Sequence, residues 1–319
     1  MQIANPVYDV VFKYLMDDNK IAKMIISAII GEEISELEFK TTESSLEMEY
    51  KSLTVYRLDF SARIRTDTGR YKQVIIEIQK AKMPTDIMRF RRYLGEQYRS
   101  EQNVYYDHGS DRQKKKALPI ISIYFLGHKL EHTESPLIKI DRKYYDMTTQ
   151  EEIIGKEEFI ESLTHNSFVI QIPYLKEKRR NDLEKLLSIF DQTNRTEDYH
   201  IMNIKEEDYP PKYRAIIRKL QRAVAEPEIR KVMDVEDEIL EELQSQERLI
   251  ALKDQIIGQK DQVIEEKDKA LEETKKLLET ASDAFSQNQS QFDQLQVKMI
   301  ENLRAMGISE EDIQKMLNS

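Results

Sequence analysis

The residues best suited to chemistry are acids placed where acids are costly. In Tyr56-Arg57-Leu58-Asp59-Phe60-Ser61-Ala62-Arg63-Ile64 a period of two puts Leu58, Phe60, Ala62 and Ile64 on one strand face. It leaves Asp59 with Arg57, Ser61 and Arg63 on the other. A second run, Val74-Ile75-Ile76-Glu77-Ile78-Gln79-Lys80, is apolar on both faces until Glu77 interrupts it, the pattern of a strand covered on both sides. A carboxylate there costs free energy unless it is paired, protonated or bound to metal. If the strands are neighbours, Asp59 and Glu77 can converge on one divalent cation, with Gln79 on the same face as Glu77. Hard carboxylate oxygens with no His or Cys nearby suit Mg²⁺ or Mn²⁺. The alternative is that both acids mark strand ends and pair with Arg57 or Arg63.

The elements that must position these residues read as an α/β pattern. Asn5-Pro6 predicts a helix start, with Val7, Val10, Val11, Tyr14 and Leu15 at helical spacing behind it. A second helix, Ile21 to Ile30, ends at Gly31. Strands are predicted over Thr54–Thr66, Tyr71–Lys80 and Leu118–Leu126. Between the last two, Ile87, Phe90, Leu94, Tyr98 and Tyr105 mark an amphipathic helix. Leu137–Ile140 and Phe168–Leu175 are weaker strand candidates, Arg180–Phe190 reads as a helix, and Pro210-Pro211 marks a break before a helical remainder.

The helix after Glu77 carries Arg89, Arg91, Arg92 and Arg99 with Tyr93 and Tyr98, and a loop run Lys114-Lys115-Lys116 follows. Beside a cleft such cations engage phosphates, giving salt-dependent binding with little sequence readout. Arg92 and Arg99, two turns apart on one side, are the preferred phosphate contacts. The other reading is a solvated basic face with tyrosines packed on the sheet. From Arg57 to Lys116 there are 15 Lys plus Arg against 8 Asp plus Glu, whereas Glu226 to Thr280 holds 9 basic and 17 acidic residues. The first half can therefore meet a polyanion although the whole chain carries −10.

Residues 253 to 280 form four heptads, KDQIIGQ, KDQVIEE, KDKALEE and TKKLLET, each with one adjacent apolar pair. A strict seven-residue repeat favours a left-handed supercoil, and an adjacent pair makes a weaker seam than alternating spacings of three and four. The repeat predicts either a coiled coil that dimerises the chain or a solvated single helix held by charge pairs. Beyond a polar stretch, Ala281 to Gln291, Gly307 closes one helix, and Ser309 with Asp312 makes a capping box for the next.

With 319 residues and no Cys, disulfide scaffolds, thiolate metal sites and cysteine nucleophiles are excluded. The five histidines, at 108, 128, 132, 165 and 200, lack metal-ligand spacing, and there is no Gly-rich phosphate loop or serine elbow. No secretory leader and no long apolar run is visible, so a cytoplasmic protein without membrane partners is expected.

Asp59 followed by Glu77-x-Gln79-Lys80, a preceding helix with Asp9-Val10-Val11-Phe12-Lys13, and an Arg/Tyr-rich helix leading to Leu118-Pro119-Ile120-Ile121-Ser122-Ile123 together carry a resemblance. The chain resembles the PD-(D/E)XK nuclease superfamily, in particular its transposase-associated, recombination-promoting branch, in which the second half of the motif reads Glu-x-Gln. The likeness covers about residues 5 to 126, and Met299 to Ser309 looks like that branch's terminal helical motif.

The resemblance implies a restriction-endonuclease-like mixed sheet flanked by helices. The expected organisation is a nuclease-like core over 1–130, an α/β extension over 131–210, a helical region over 211–248, a coiled coil over 249–280, and a polar linker with a small helical unit over 281–319. It also implies that Asp59 and Glu77 hold Mg²⁺ (or Mn²⁺) with the carbonyl of Ile78, and that the chain is a DNA endonuclease connected with transposition or recombination. Gln79 stands where most of the superfamily has a catalytic Lys. An amide orients a water by hydrogen bonding but brings no positive charge. Lys80 should point to the opposite face, where it is a phosphate contact at most. Asp9 is where such nucleases often place an acid that reaches the metal through water; alternatively it serves the helix dipole. Lys13, one turn on, either meets a phosphate or faces solvent. The competing function is a DNA-binding or scaffold module on the same fold, weak or inactive as a catalyst.

Overall fold

A computed structural model describes residues 1–39, 60–80, 86–107, 114–176 and 180–317. They form two compact units, Met1–Gln244 and Ser245–Ser319. The first contains β1 (Gln2–Ala4), α1 (Asp9–Met16), α2 (Asn19–Ile30), β2 (Ile34–Phe39), β3 (Phe60–Thr66), β4 (Tyr71–Gln79), α3 (Asp86–Arg99), β5 (Val104–Asp107), β6 (Lys114–Ala117) and β7 (Ile120–Leu126). It continues with β8 (Leu137–Ile140), β9 (Tyr144–Tyr145), β10 (Glu152–Ile153), α4 (Glu158–Leu163), β11 (Asn166–Gln171), α5 (Asp182–Leu187), β12 (Ile201–Asn203) and α6 (Arg214–Ala223). Helix α7 (Pro227–Ala305) begins in this unit and continues into the second, which ends with α8 (Glu310–Leu317).

Six strands build one mixed sheet in the order β2-β3-β4-β7-β11-β8. The β4-β7-β11 centre is parallel, and β2, β3 and β8 join antiparallel. Period two then separates two chemically different faces. Ala62, Ile64, Val74, Ile76, Ile123, Phe125 and Ile170 point to one side, where α1, α2, α5 and α6 bury them in the main core. Phe125 lies 4.6 Å from Phe190 and 6.0 Å from Phe12, ring centre to ring centre. Each such side chain contributes about 1.5–3 kcal/mol by leaving water.

The other face is largely polar. Ser61, Gln73, Glu77, Ser122 and Ser167 are all buried there, and among the described residues Ile75, Tyr93 and Ile120 with Leu94 form an apolar cluster beneath α3. Its polar groups bond one another: Gln73 Nε2 donates to Ser61 Oγ at 2.5 Å, and the Ser122 and Ser167 hydroxyls are 2.7 Å apart.

Helix α2 is written in its own residues. Asp18 Oδ1 accepts from the backbone N–H groups of Lys20 and Ile21, the buried Ile21, Ile25, Ile26 and Ile29 share a stripe, and Gly31 at φ 72° ends it. Helix α1 instead begins at Asp9, later than the Asn5-Pro6 signal suggested. Asn5 does make a cap-like bond, its Oδ1 accepting from Val7 N–H at 3.2 Å, but the chain forms a turn there before the helix; its own N–H donates to the His200 carbonyl and its amide to Gln192 and Tyr199, continuing the β1–β12 pairing.

Three further expectations change. The helix predicted to reach Tyr105 ends at Arg99, where Asn103 Nδ2 bonds the Gln97 carbonyl, and Tyr105 belongs to β5. Lys114-Lys115-Lys116 is not a loop but the strand β6 paired with β5. Residues 281–291, expected as a linker, continue α7 without a break, since neither Pro nor Gly occurs between Gly258 and Gly307. Gly307 at φ 81° closes the chain's long helix ahead of α8. Among the described residues no helix is long and apolar enough to cross a membrane.

Candidate functional site

Glu77 sits near the C-terminal end of β4, 2% exposed, on the polar face between Ile75 and Gln79. In β7 its lateral neighbour is Tyr124. Burial pushes the Tyr124 phenol above its ordinary range; a bond with Ser122 opposes this and the charge of Glu77 adds to it. The Tyr124 ring stands edge-on to Phe90 of α3 at 4.1 Å. Gln79 is half-buried, and its carbonyl accepts from Gly127 N–H at 2.6 Å, tying the ends of β4 and β7 together. Ile78 turns its side chain to the main core, so only its backbone can serve a ligand on the other side.

Asp59, the first of the expected metal ligands, lies outside the described residues. The β3–β4 ladder is described up to Phe60 opposite Ile76. Among the described residues no group of three or more His, Asp or Glu side chains is gathered to hold a metal. What they do provide is one hard-oxygen donor, Glu77, secluded from water, with the Gln79 amide on the same face; that donor set fits a Mg²⁺-like cation only if further oxygen ligands join it.

Asp9 is not part of this face. It opens α1, which packs on the apolar side of the sheet, and its Oδ2 accepts from Lys13 Nζ at 2.7 Å while Oδ1 is buried without a hydrogen bond. Lys13, expected to be available for a phosphate, is thus engaged by Asp9.

Lys80 lies just beyond β4 and points away from the Glu77 face, as period two requires. Its ammonium is 3.1 Å from Glu236 Oε2, 3.5 Å from Asp237 Oδ1 and 3.2 Å from the centre of the Tyr8 ring. Burial lowers the Lys80 pKa, and the two carboxylates partly oppose it. Tyr8 Oη donates to Asp237 Oδ2 at 2.7 Å, and His200 Nε2 lies 2.9 Å from the same oxygen. Glu236 also accepts from the N–H groups of Asp9 and Val10, capping α1 from α7. The expectation that Lys80 contacts a phosphate is therefore corrected: its charge is spent within the fold.

Helix α3 carries exposed cations. Arg92 and Arg99 are exposed, Tyr93 is buried beneath them, and the Tyr98 hydroxyl lies 2.8 Å from His165 Nδ1. On the same sheet face Arg63 lies over the Tyr71 ring at 4.7 Å, and Tyr105 stands 5.8 Å from Tyr71. This cation and aromatic group was missed as a unit because β5 was read as helix. The Tyr8–His200–Glu236–Asp237 network left no sequence signal at all. Ser122 and Tyr124 did leave one, as the polar positions alternating with Ile121, Ile123 and Phe125.

Compared with known proteins, the sequence matches no family model and no curated protein, and the fold matches no solved structure.

Proposed function

We propose that the chain is a metal-dependent DNA endonuclease of the restriction-endonuclease-like type, acting in transposition or recombination. The observation that carries the reading is Glu77: a carboxylate 2% exposed near the end of a central strand, on the sheet face that also buries Ser61, Gln73 and Ser122. On this reading Asp59, which lies outside the described residues, acts together with Glu77. A Mg²⁺ or Mn²⁺ ion held by Asp59, Glu77 and the Ile78 carbonyl would supply an acidified water and neutralise phosphate charge. The chain's own part is to hold the two carboxylates on a rigid sheet, orient a water through the Gln79 amide, and seat the DNA backbone on Arg92, Arg99 and the Arg63–Tyr71 stack.

Gln79 and the engaged Lys80 favour a second reading, a DNA-binding module of low catalytic power, because neither brings a free cation to a scissile phosphate. One experiment separates them. Parent protein should nick plasmid DNA in Mg²⁺ or Mn²⁺, and Glu77→Gln should lose more than about a hundredfold, the scale of removing one transition-state electrostatic partner, while keeping the parent's unfolding midpoint within a degree or two. Salt-sensitive DNA binding without nicking by the parent selects the second reading; equal nicking by parent and variant removes Glu77 from the site.

A further inference from the structure

Among the described residues, the second unit carries an exposed apolar surface. Along α7, Ile257, Ile264, Leu271, Leu278, Phe285 and Phe292 recur at strict seven-residue spacing and are 54–72% exposed. A companion row one residue earlier includes Ile256, Val263 and Leu277. The row three residues after each member of the first lies between these two, about 60° from one and 40° from the other at 100° per residue. That middle row reads Lys253, Lys260, Lys267 in its first half and Ala281, Asn288, Leu295 in its second.

This asymmetry decides how two copies can meet. A parallel pair in register sets each of the three lysines against its own copy, which is repulsive three times over along the seam. Reversing one helix about a two-fold axis at Thr274 sets Lys253 opposite Leu295, Lys260 opposite Asn288 and Lys267 opposite Ala281. The same reversal sets the two apolar rows against each other, Ile256 opposite Phe292, Val263 opposite Phe285 and Leu277 opposite Leu271. Lysine stems then lie along apolar surface while their ammonium groups reach water at the edge.

We propose that the tail is a self-recognition element that pairs antiparallel with a second copy of this chain, centred on Thr274. The overlap runs from about residue 245 to 303, roughly 88 Å at 1.5 Å per residue. A strip of that length and about 10 Å wide covers roughly 900 Å² on each helix, about 1,800 Å² in all, inside the range of stable protein interfaces. The inference is independent of the nuclease reading.

The absence of cysteine makes the test clean, because every introduced thiol is unique. Thr274→Cys, Lys253→Cys and Leu295→Cys are made singly in the full chain and oxidised. Antiparallel pairing predicts self-cross-linking of Thr274→Cys, little for either of the other two alone, and efficient cross-linking when Lys253→Cys and Leu295→Cys are mixed. The parent should sediment at twice the 37.8 kDa chain mass. Self-cross-linking of Lys253→Cys and Leu295→Cys separately would establish a parallel pair and overturn the proposal. A monomeric parent with no cross-link at position 274 would overturn it as well.

Discussion

Gly127→Ala tests how the end of β4 is held. A Cβ at residue 127 would lie 2.3 Å from the Lys80 carbonyl oxygen and 2.7 Å from both the Gln79 oxygen and the Lys80 carbon. All three are backbone atoms, so no side chain can swing aside, and β4 and β7 must separate by about 1 Å to restore an ordinary contact. Overpacking of this kind costs about 1–3 kcal/mol. Loss of the Gly127–Gln79 hydrogen bond adds about 0.5–1.5 kcal/mol. The expected destabilisation is about 2–4 kcal/mol, and the displaced segment holds Gln79 and adjoins Glu77, so any nicking activity should fall with it. The assay is urea unfolding followed by tyrosine emission. The chain has no Trp, and all 16 Tyr lie within Met1–Gln244, so the signal reports that unit alone. Gly155→Ala, where an added Cβ meets nothing within 4 Å, is the control. A Gly127→Ala midpoint indistinguishable from the control would refute the close approach of the two strand ends.

Removing Glu236 should cost more than removing its partner: Glu236→Ala loses two helix-capping bonds and an ion pair, about 2–4 kcal/mol, whereas Lys80→Met keeps the stem volume and should cost under about 1.5 kcal/mol, read by the same urea assay. Asp237 has a pKa below its ordinary 3.8: burial would raise it, but bonds from Tyr8 and His200 and the charge of Lys80 prevail. Its stabilising contribution is therefore complete above pH 3.8 and lost as pH falls through the folded-state value, so Asp237→Asn should flatten the acid limb of a stability–pH curve below that point. Gly258→Ala, in the exposed middle of α7 with open space around it, should raise the helical content and melting temperature of the tail through about 1 kcal/mol of helix propensity.

The sequence made legible what local chemistry decides. Helix α2 carries its own cap, stripe and terminating Gly31, and its bounds follow from them. The alternation of Ser61 and Arg63 with Ala62 and Ile64 separates the sheet's two faces, and the interruption at Glu77 marks its buried carboxylate. Where a distant residue decides, the reading failed. Helix α1 starts at Asp9 because Glu236, 227 positions later, bonds its first N–H. Asn5 makes the local bond of a cap to Val7 N–H, but only a turn follows, because Gln192 and the backbone of Tyr199 and His200 tie Asn5 to β12 as well. Tyr105 extends the apolar spacing of α3, but its ring belongs against Tyr71 on a neighbouring strand. For the site, period two correctly turned Lys80 away from Glu77, but it said nothing of the carboxylates that receive it. The same limit applies to Asp9: nothing local to α1 reveals which face of the sheet the helix will cover.

The placement of Lys80 bears on how the candidate site could tolerate Gln79. A lysine three residues past Glu77, left mobile, would be free to pair with any carboxylate at the strand end and so compete with a cation for it. Here Glu236, Asp237 and the Tyr8 ring hold the ammonium on the apolar side of the sheet, where burial has already lowered its pKa. Apolar residues of equal volume would satisfy that location more cheaply, since buried ion pairs seldom repay their desolvation. What the ion pairs provide is direction: they fix the backbone at residue 80, and through the Gly127 bond at residue 79, so that Gln79 leaves the strand on the Glu77 face rather than rotating away. An amide that can only orient a water depends on that fixed geometry more than an ammonium would, because a hydrogen bond is directional and a point charge is not.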